Sequence, residues 1–159
     1  MRVAIVTVST SRAAGEANDE SGPLLAKAVE KMAGTVVARE LVTDDESRIR
    51  VQLISLADSG ACDLILTTGG TGLAPSDRTP EATRAVLDRE APGIAEALRA
   101  ASLEQTPHGM LSRGVAGVRG TTLIVNLPGS KRACEQGFAL LAPVLDHAVG
   151  LLTEESSEH

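Results

Sequence analysis

The chain predicts an α/β fold, a three-layer arrangement in which a mainly parallel sheet is covered by helices on both faces. Three observations lead there. Short β-branched apolar runs alternate with helical patterns along the chain, the runs are apolar throughout as in strands buried on both faces, and each gives way to a polar or glycine-bearing loop. At 159 residues and 43% hydrophobic content, one domain over 1–152 is expected, with a frayed tail over 153–159.

Residues 3–8 (VAIVTV) read as a first buried strand ending in Ser9-Thr10-Ser11. After a polar stretch, Pro23 suits the first position of a helix whose Leu25, Ala28, Val29 and Met32 share one face, and Gly34 is expected to stop it. Residues 35–43 give a second strand, then Asp44-Asp45-Glu46-Ser47 opens a helix with Ile49, Leu53, Leu56 and Ala57 inward and Gly60 at its end. A third strand, 62–68, runs directly into Gly69-Gly70-Thr71-Gly72. Thr79-Pro80 begins another helix around Val86 and Leu87, with Thr79 as its cap, and a further helix covers 92–104. The polar segment 106–120 reads as a loop before the strand 121–127. Pro128-Gly129-Ser130 then leads into a last helix with Phe138, Leu141, Leu145 and Val149 inward.

Composition excludes several classes of function. Phe138 is the sole aromatic residue, so stacking platforms are missing, and the net charge of -6 points the same way, so nucleic acid is not an expected partner. Cys62 and Cys134 spell no redox pair or zinc site, and the three histidines have no metal or triad spacing. Met1 leads straight into Val3-Ala4-Ile5-Val6 with no signal to read, and no run reaches transmembrane length. A cytoplasmic protein acting on small molecules, with no membrane partner, is expected.

Open α/β sheets bind ligands beyond the carboxyl ends of their strands. Three loops stand there, Ser9–Arg12, Thr67–Arg78 and Asn126–Lys131, and they are expected to converge on one crevice. Gly69, Gly70 and Gly72 let backbone N–H groups approach phosphate oxygens, and Thr67, Thr68 and Thr71 add hydroxyls, although a ligand-free tight turn fits the same glycines. Neither G-x-G-x-x-G nor G-x-x-x-x-G-K-[ST] is present. With Thr79 assigned to capping, Asp77 is left as a magnesium ligand beside the phosphates. Asp44, taken alone, reads first as a helix N-cap. Ser130 suits both a cap and an anion site at the N-terminus of the last helix. Arg113, Lys131 and Arg132 are cations within reach of phosphates or simply solvated.

Thr67-Thr68-Gly69-Gly70-Thr71-Gly72, Asp77-x-Thr79-Pro80-Glu81-Ala82-Thr83, Leu111-Ser112-Arg113-Gly114 and Asn126-Leu127-Pro128-Gly129-Ser130 stand in one order, and together the chain closely resembles the MogA/MoaB family of molybdopterin-binding proteins. The resemblance covers nearly the whole chain, and the TPEAT continuation resembles the adenylyltransferase branch rather than the insertase or CinA-type domains. It implies a three-layer, usually trimeric fold that binds molybdopterin and ATP and, with magnesium, forms adenylyl-molybdopterin and pyrophosphate. It further implies that Asp44 and Asp77 are the two functional aspartates and metal ligands. Ser9, Arg12, Thr68, Gly69, Gly70, Thr71, Gly72, Ser112, Asn126, Pro128, Gly129 and Ser130 then belong to the ligand loops, and a molybdenum insertase is a candidate partner. Thr10-Ser11-Arg12 departs from the Ser-Asp-Arg common in the family, whereas Asp19-x-Ser21-Gly22 keeps a familiar pattern. The alternative function is a non-catalytic carrier of molybdopterin; an ordinary dinucleotide oxidoreductase lacks its fingerprint after the first strand.

Overall fold

The structure is a computed structural model in which residues 1–153 are described. In chain order the first half comprises β1 (Arg2–Val8), α1 (Thr10–Ala13), α2 (Ser21–Lys31), β2 (Thr35–Val42), α3 (Glu46–Asp58) and β3 (Leu64–Thr68). The second half comprises α4 (Thr79–Arg84), β4 (Arg89–Glu90), α5 (Pro92–Gln105), a 3-10 turn (Pro107–Leu111), β5 (Ala116–Arg119), β6 (Thr122–Leu127) and α6 (Lys131–Leu152). The sheet order is β2-β1-β3-β6-β5-β4. The first four strands in that order are parallel, and β5 and β4 extend the edge through antiparallel pairs.

The period of two in each strand divides the core into two layers. Val3 and Ile5 of β1, Leu64 and Leu66 of β3, and Leu123, Val125 and Leu127 of β6 pack with α2, α5 and α6. Ala4, Val6 and Val8, Ile65 and Ile124 point the other way, onto Ile49, Leu53 and Ala57 of α3 and Ala82 and Val86 by α4. Three layers result, with an aliphatic core in which Phe138 is the one ring. No described helix is long and apolar enough to cross a membrane.

Several boundaries differ from expectation for physical reasons. Helix α2 begins at Ser21, two residues before Pro23, because the Asp19 carboxylate accepts the Gly22 N–H and starts the turn. Its end is turned by Ala33 at φ 60, not by Gly34; Gly34 is needed because a Cβ there would stand 2.8 Å from Val29 Cγ1. The third strand starts at Leu64 rather than Cys62, since Asp63 is engaged by Arg2 ahead of it. Helix α4 ends at Arg84, leaving Val86 and Leu87 beyond it as core residues. Strands β4 and β5 and the 3-10 turn arise inside stretches read as loop or helix flank. The expected tail over 153–159 lies, after Thr153, outside the described residues.

Both cysteines are buried free thiols. Burial raises the Cys62 pKa and pushes that of Cys134 to about 11, which disfavours the reactive thiolate at both.

Candidate active site

Parallel strands β1, β2, β3 and β6 end on one edge, and their following loops meet there. Ser9 N–H donates to Val42 O at 2.8 Å, joining the ends of β1 and β2. Gly69 N–H donates to Leu127 O at 3.2 Å, and Thr68 Oγ1 donates to Pro128 O at 2.8 Å, joining the ends of β3 and β6. A Cβ on Gly129 would stand 3.1 Å from Gly69 Cα, and one on Gly69 would run into Val8 O. The three expected loops therefore meet at one edge of the sheet, and glycine is required where they touch.

Gly69 and Gly70 have φ of 100° and 65°, so the chain turns sharply on leaving β3. From there the backbone polar groups separate. The carbonyls of Gly69 and Gly70 accept from Thr79 Oγ1 (2.9 Å) and Thr79 N (3.1 Å), and those of Thr71 and Gly72 accept from Arg113 N (2.8 Å) and Arg113 Nε (2.7 Å). The N–H groups of Gly70, Thr71, Gly72 and Leu73 have no acceptor among the described residues. Four consecutive donors, one on buried Thr71 and one on exposed Leu73, are thus left to solvent or to a bound anion.

The two aspartates flank this loop. Asp44 does not cap α3; Asp45 does, accepting from Arg48 N at 2.9 Å. Asp44 reaches across to the β1 loop, where its Oδ2 accepts from Thr10 N (2.7 Å) and Thr10 Oγ1 (2.9 Å). Its Oδ1 accepts nothing from the described residues and would stand 3.3 Å from a Cβ on Gly70. Asp77 accepts from Ala74 N at 3.0 Å through Oδ2, which would stand 2.8 Å from a Cβ on Gly72; its Oδ1 is likewise without a partner among the described residues. Among the described residues no three His, Cys, Asp or Glu form a metal-holding group. Two carboxylates, each with one uncommitted oxygen beside the glycine loop, fit magnesium, which keeps waters and takes one or two protein ligands with the nucleotide phosphates.

Other candidates divide by what they touch. Thr79, expected as a helix cap, is wholly buried and holds the Gly69 carbonyl; the cap position is Arg78 and makes no side-chain cap bond. Arg113, one of the phosphate-neutralising cations considered, is engaged by the loop carbonyls and by Glu81, whose pKa its hydrogen bond lowers. Asn126 is buried with its amide engaged: Oδ1 accepts from Val115 N at 3.1 Å, and Nδ2 donates to Thr67 Oγ1 (2.9 Å) and Thr83 Oγ1 (3.0 Å). Arg12 keeps only a long 3.4 Å bond to Ser21 Oγ, which leaves its guanidinium open to an anion. Ser9 Oγ accepts from Arg12 N at 3.4 Å and caps α1. Ser130 stands at the N-terminus of α6 but its hydroxyl makes no cap bond.

Beside the crevice, a cavity of about 370 Å³ lies between α5 and α6 and reaches Ser112, Asn126 and Pro128. Arg99, Ser102, Gln105 and Gln136 also line it, and none of them belongs to the residues expected from the sequence. Arg99 and Ser102 are three apart and so share a face of α5, and that spacing was the available signal.

The chain matches the family described as "probable molybdopterin binding domain" over residues 4–147. It is 40% identical over 154 residues to the molybdenum cofactor synthesis protein cinnamon of Drosophila melanogaster, covering 96% of this chain and 26% of that protein. It is 41% identical over 113 residues to a molybdopterin adenylyltransferase of Helicobacter pylori strain J99, covering 71% of this chain and 64% of that one. The chain thus spans less than two thirds of the length of these curated relatives. A crystal structure of the molybdopterin biosynthesis enzyme MoaB from Thermus thermophilus superposes with TM-score 0.91 at 48% identity, covering 99% of both chains.

Proposed function

Because this chain belongs to the molybdopterin-binding domain family of molybdenum-cofactor biosynthesis, we propose that it is a molybdopterin adenylyltransferase using ATP and magnesium. The observation that carries this reading is the row of four unpartnered N–H groups, Gly70 to Leu73, set between the carboxylates of Asp44 and Asp77. A carrier of molybdopterin would itself use an anion site for the pterin's one phosphate; what favours transfer is the pair of carboxylates beside that row, which suits a magnesium nucleotide.

The cavity between α5 and α6 takes the pterin, with Ser112 and Ser102 offering hydroxyls to its edge. The glycine loop takes the ATP phosphates through its N–H groups, and Arg12 with the N-terminus of α6 at Ser130 adds positive potential. The terminal phosphate oxygen of molybdopterin attacks the α-phosphorus of ATP; the bond to the β-phosphate oxygen breaks, and pyrophosphate leaves with its electron pair. No protein nucleophile takes part. Asp77 and Asp44 would hold magnesium, which would withdraw charge from the phosphates. Asn126, its amide committed to Val115, Thr67 and Thr83, fixes the floor on which both ligands rest. Gly129 and Pro128 let that floor meet the glycine loop.

Self-association as a homotrimer belongs to the same reading. Val144 and Leu151 are exposed at 51% and 47% on one face of α6, an apolar surface that a partner copy covers. The protein acts in the cytoplasm and passes its product to a molybdenum insertase. Pyrophosphate release that requires both molybdopterin and ATP tests the activity. Binding of molybdopterin with no release under any magnesium concentration would make the protein a carrier.

A further inference from the structure

We propose that Thr79 and Arg113 are positioning residues that set the polarity of the glycine loop, an inference that rests on reading this loop as a phosphate cradle. In a trans peptide the C=O of one residue and the N–H of the next point in opposite directions, and the described residues contain no cis peptide. Whatever fixes a carbonyl therefore fixes the following N–H. The peptides 69–70, 70–71, 71–72 and 72–73 each have their carbonyl held by its own donor, two from Thr79 and two from Arg113. The N–H groups of Gly70, Thr71, Gly72 and Leu73 are consequently all turned away from those donors.

Such a lock is needed because the glycines that allow close approach to phosphate also allow the peptide to flip. Gly69 and Gly70 lie at positive φ, where neighbouring conformations are open to glycine. A flipped peptide would present a carbonyl oxygen to the anion and turn an attractive contact into a repulsive one.

Arg113 extends the lock along the loop. Its Nη2 donates to Asp77 O at 2.7 Å, so one guanidinium holds the carbonyls at both ends of the Gly72–Asp77 segment, while Nη1 pairs with Glu81. All three guanidinium nitrogens are engaged within the protein and Glu81 balances their charge. Arg113 is therefore not a phosphate ligand. Arg78 pairs with Glu46 at 2.8 Å and ties the same segment to α3.

Titration of the full chain with inorganic pyrophosphate, read by calorimetry, tests this. Thr79→Val keeps the shape and removes the hydroxyl donor; Arg113→Ala removes the clamp. Each is expected to weaken pyrophosphate binding about tenfold while molybdopterin binding changes less than about twofold. Thr79→Ser, which restores the donor, is expected to recover wild-type affinity. Arg113→Lys is expected not to, because one ammonium cannot reproduce the planar fork. In turnover the loss appears in KM for ATP more than in kcat. Folded Thr79→Val that binds pyrophosphate like the wild type overturns the positioning role, and this variant decides the matter should Arg113→Ala fail to fold. Wild type that binds no pyrophosphate overturns the cradle reading and this proposal together.

Discussion

Asp44 and Asp45 are neighbours with separate duties: Asp45 caps α3, while Asp44 holds the β1 loop and keeps a carboxylate oxygen for the crevice. Asn at position 44 still offers an oxygen to Thr10, so Asp44→Asn removes charge and leaves the tie. The same holds for Asp77→Asn and its bond from Ala74. Either change is expected to lower kcat about a hundredfold with little effect on molybdopterin affinity. Steady-state kinetics beside direct binding check this, and equal losses in both would contradict it. Glu81 carries a pH signature. The Arg113 hydrogen bond holds its folded-state pKa below the ordinary 4.5, so its contribution is complete above that value and is lost as pH falls through the depressed one. Urea midpoints between about pH 6 and pH 3 are expected to fall less steeply in Glu81→Gln than in the wild type. Ala33 is a local liability at φ 60, and Ala33→Gly is expected to stabilise by about 0.5–1 kcal/mol, seen as a raised thermal midpoint.

At the scale of elements, strand and helix are stabilised by aliphatic packing with almost no aromatic contribution. Leu66 is fully buried in β3 beneath the α2 and α6 layer, and Leu66→Ala is expected to cost about 2–5 kcal/mol by chemical denaturation. Period and length made β1, β2, β3, β6 and the long helices legible, because each buries a continuous apolar run or stripe. Strands β4 and β5 were not, since two residues of β4 and the glycine-bearing Ala116–Arg119 carry no periodic signal and depend on pairing with β6 and with each other. Site residues followed the same divide. Loops at strand ends were readable from glycine and acid spacing. The duties of Thr79, Arg113 and Asn126 were not, because each is set by partners far along the chain: Gly69 for Thr79, Gly72 and Asp77 for Arg113, Thr67 and Thr83 for Asn126.

The whole molecule places a cavity of about 370 Å³ and the glycine loop side by side at the carboxyl edge of one sheet, with both acids at the loop. That juxtaposition suits joining two phosphate-bearing molecules. Val144 and Leu151 of α6 do not line that cavity, so if the chain self-associates as proposed, Val144→Asp is expected to dissociate the assembly, read by light scattering, without removing the glycine loop. The central claim is adenylyl transfer, and mass spectrometry after incubation with molybdopterin, ATP and magnesium tests it most directly. Adenylyl-molybdopterin from the wild type and none from Asp77→Asn is the predicted result. Bound but unmodified molybdopterin with both proteins would contradict it and leave a carrier.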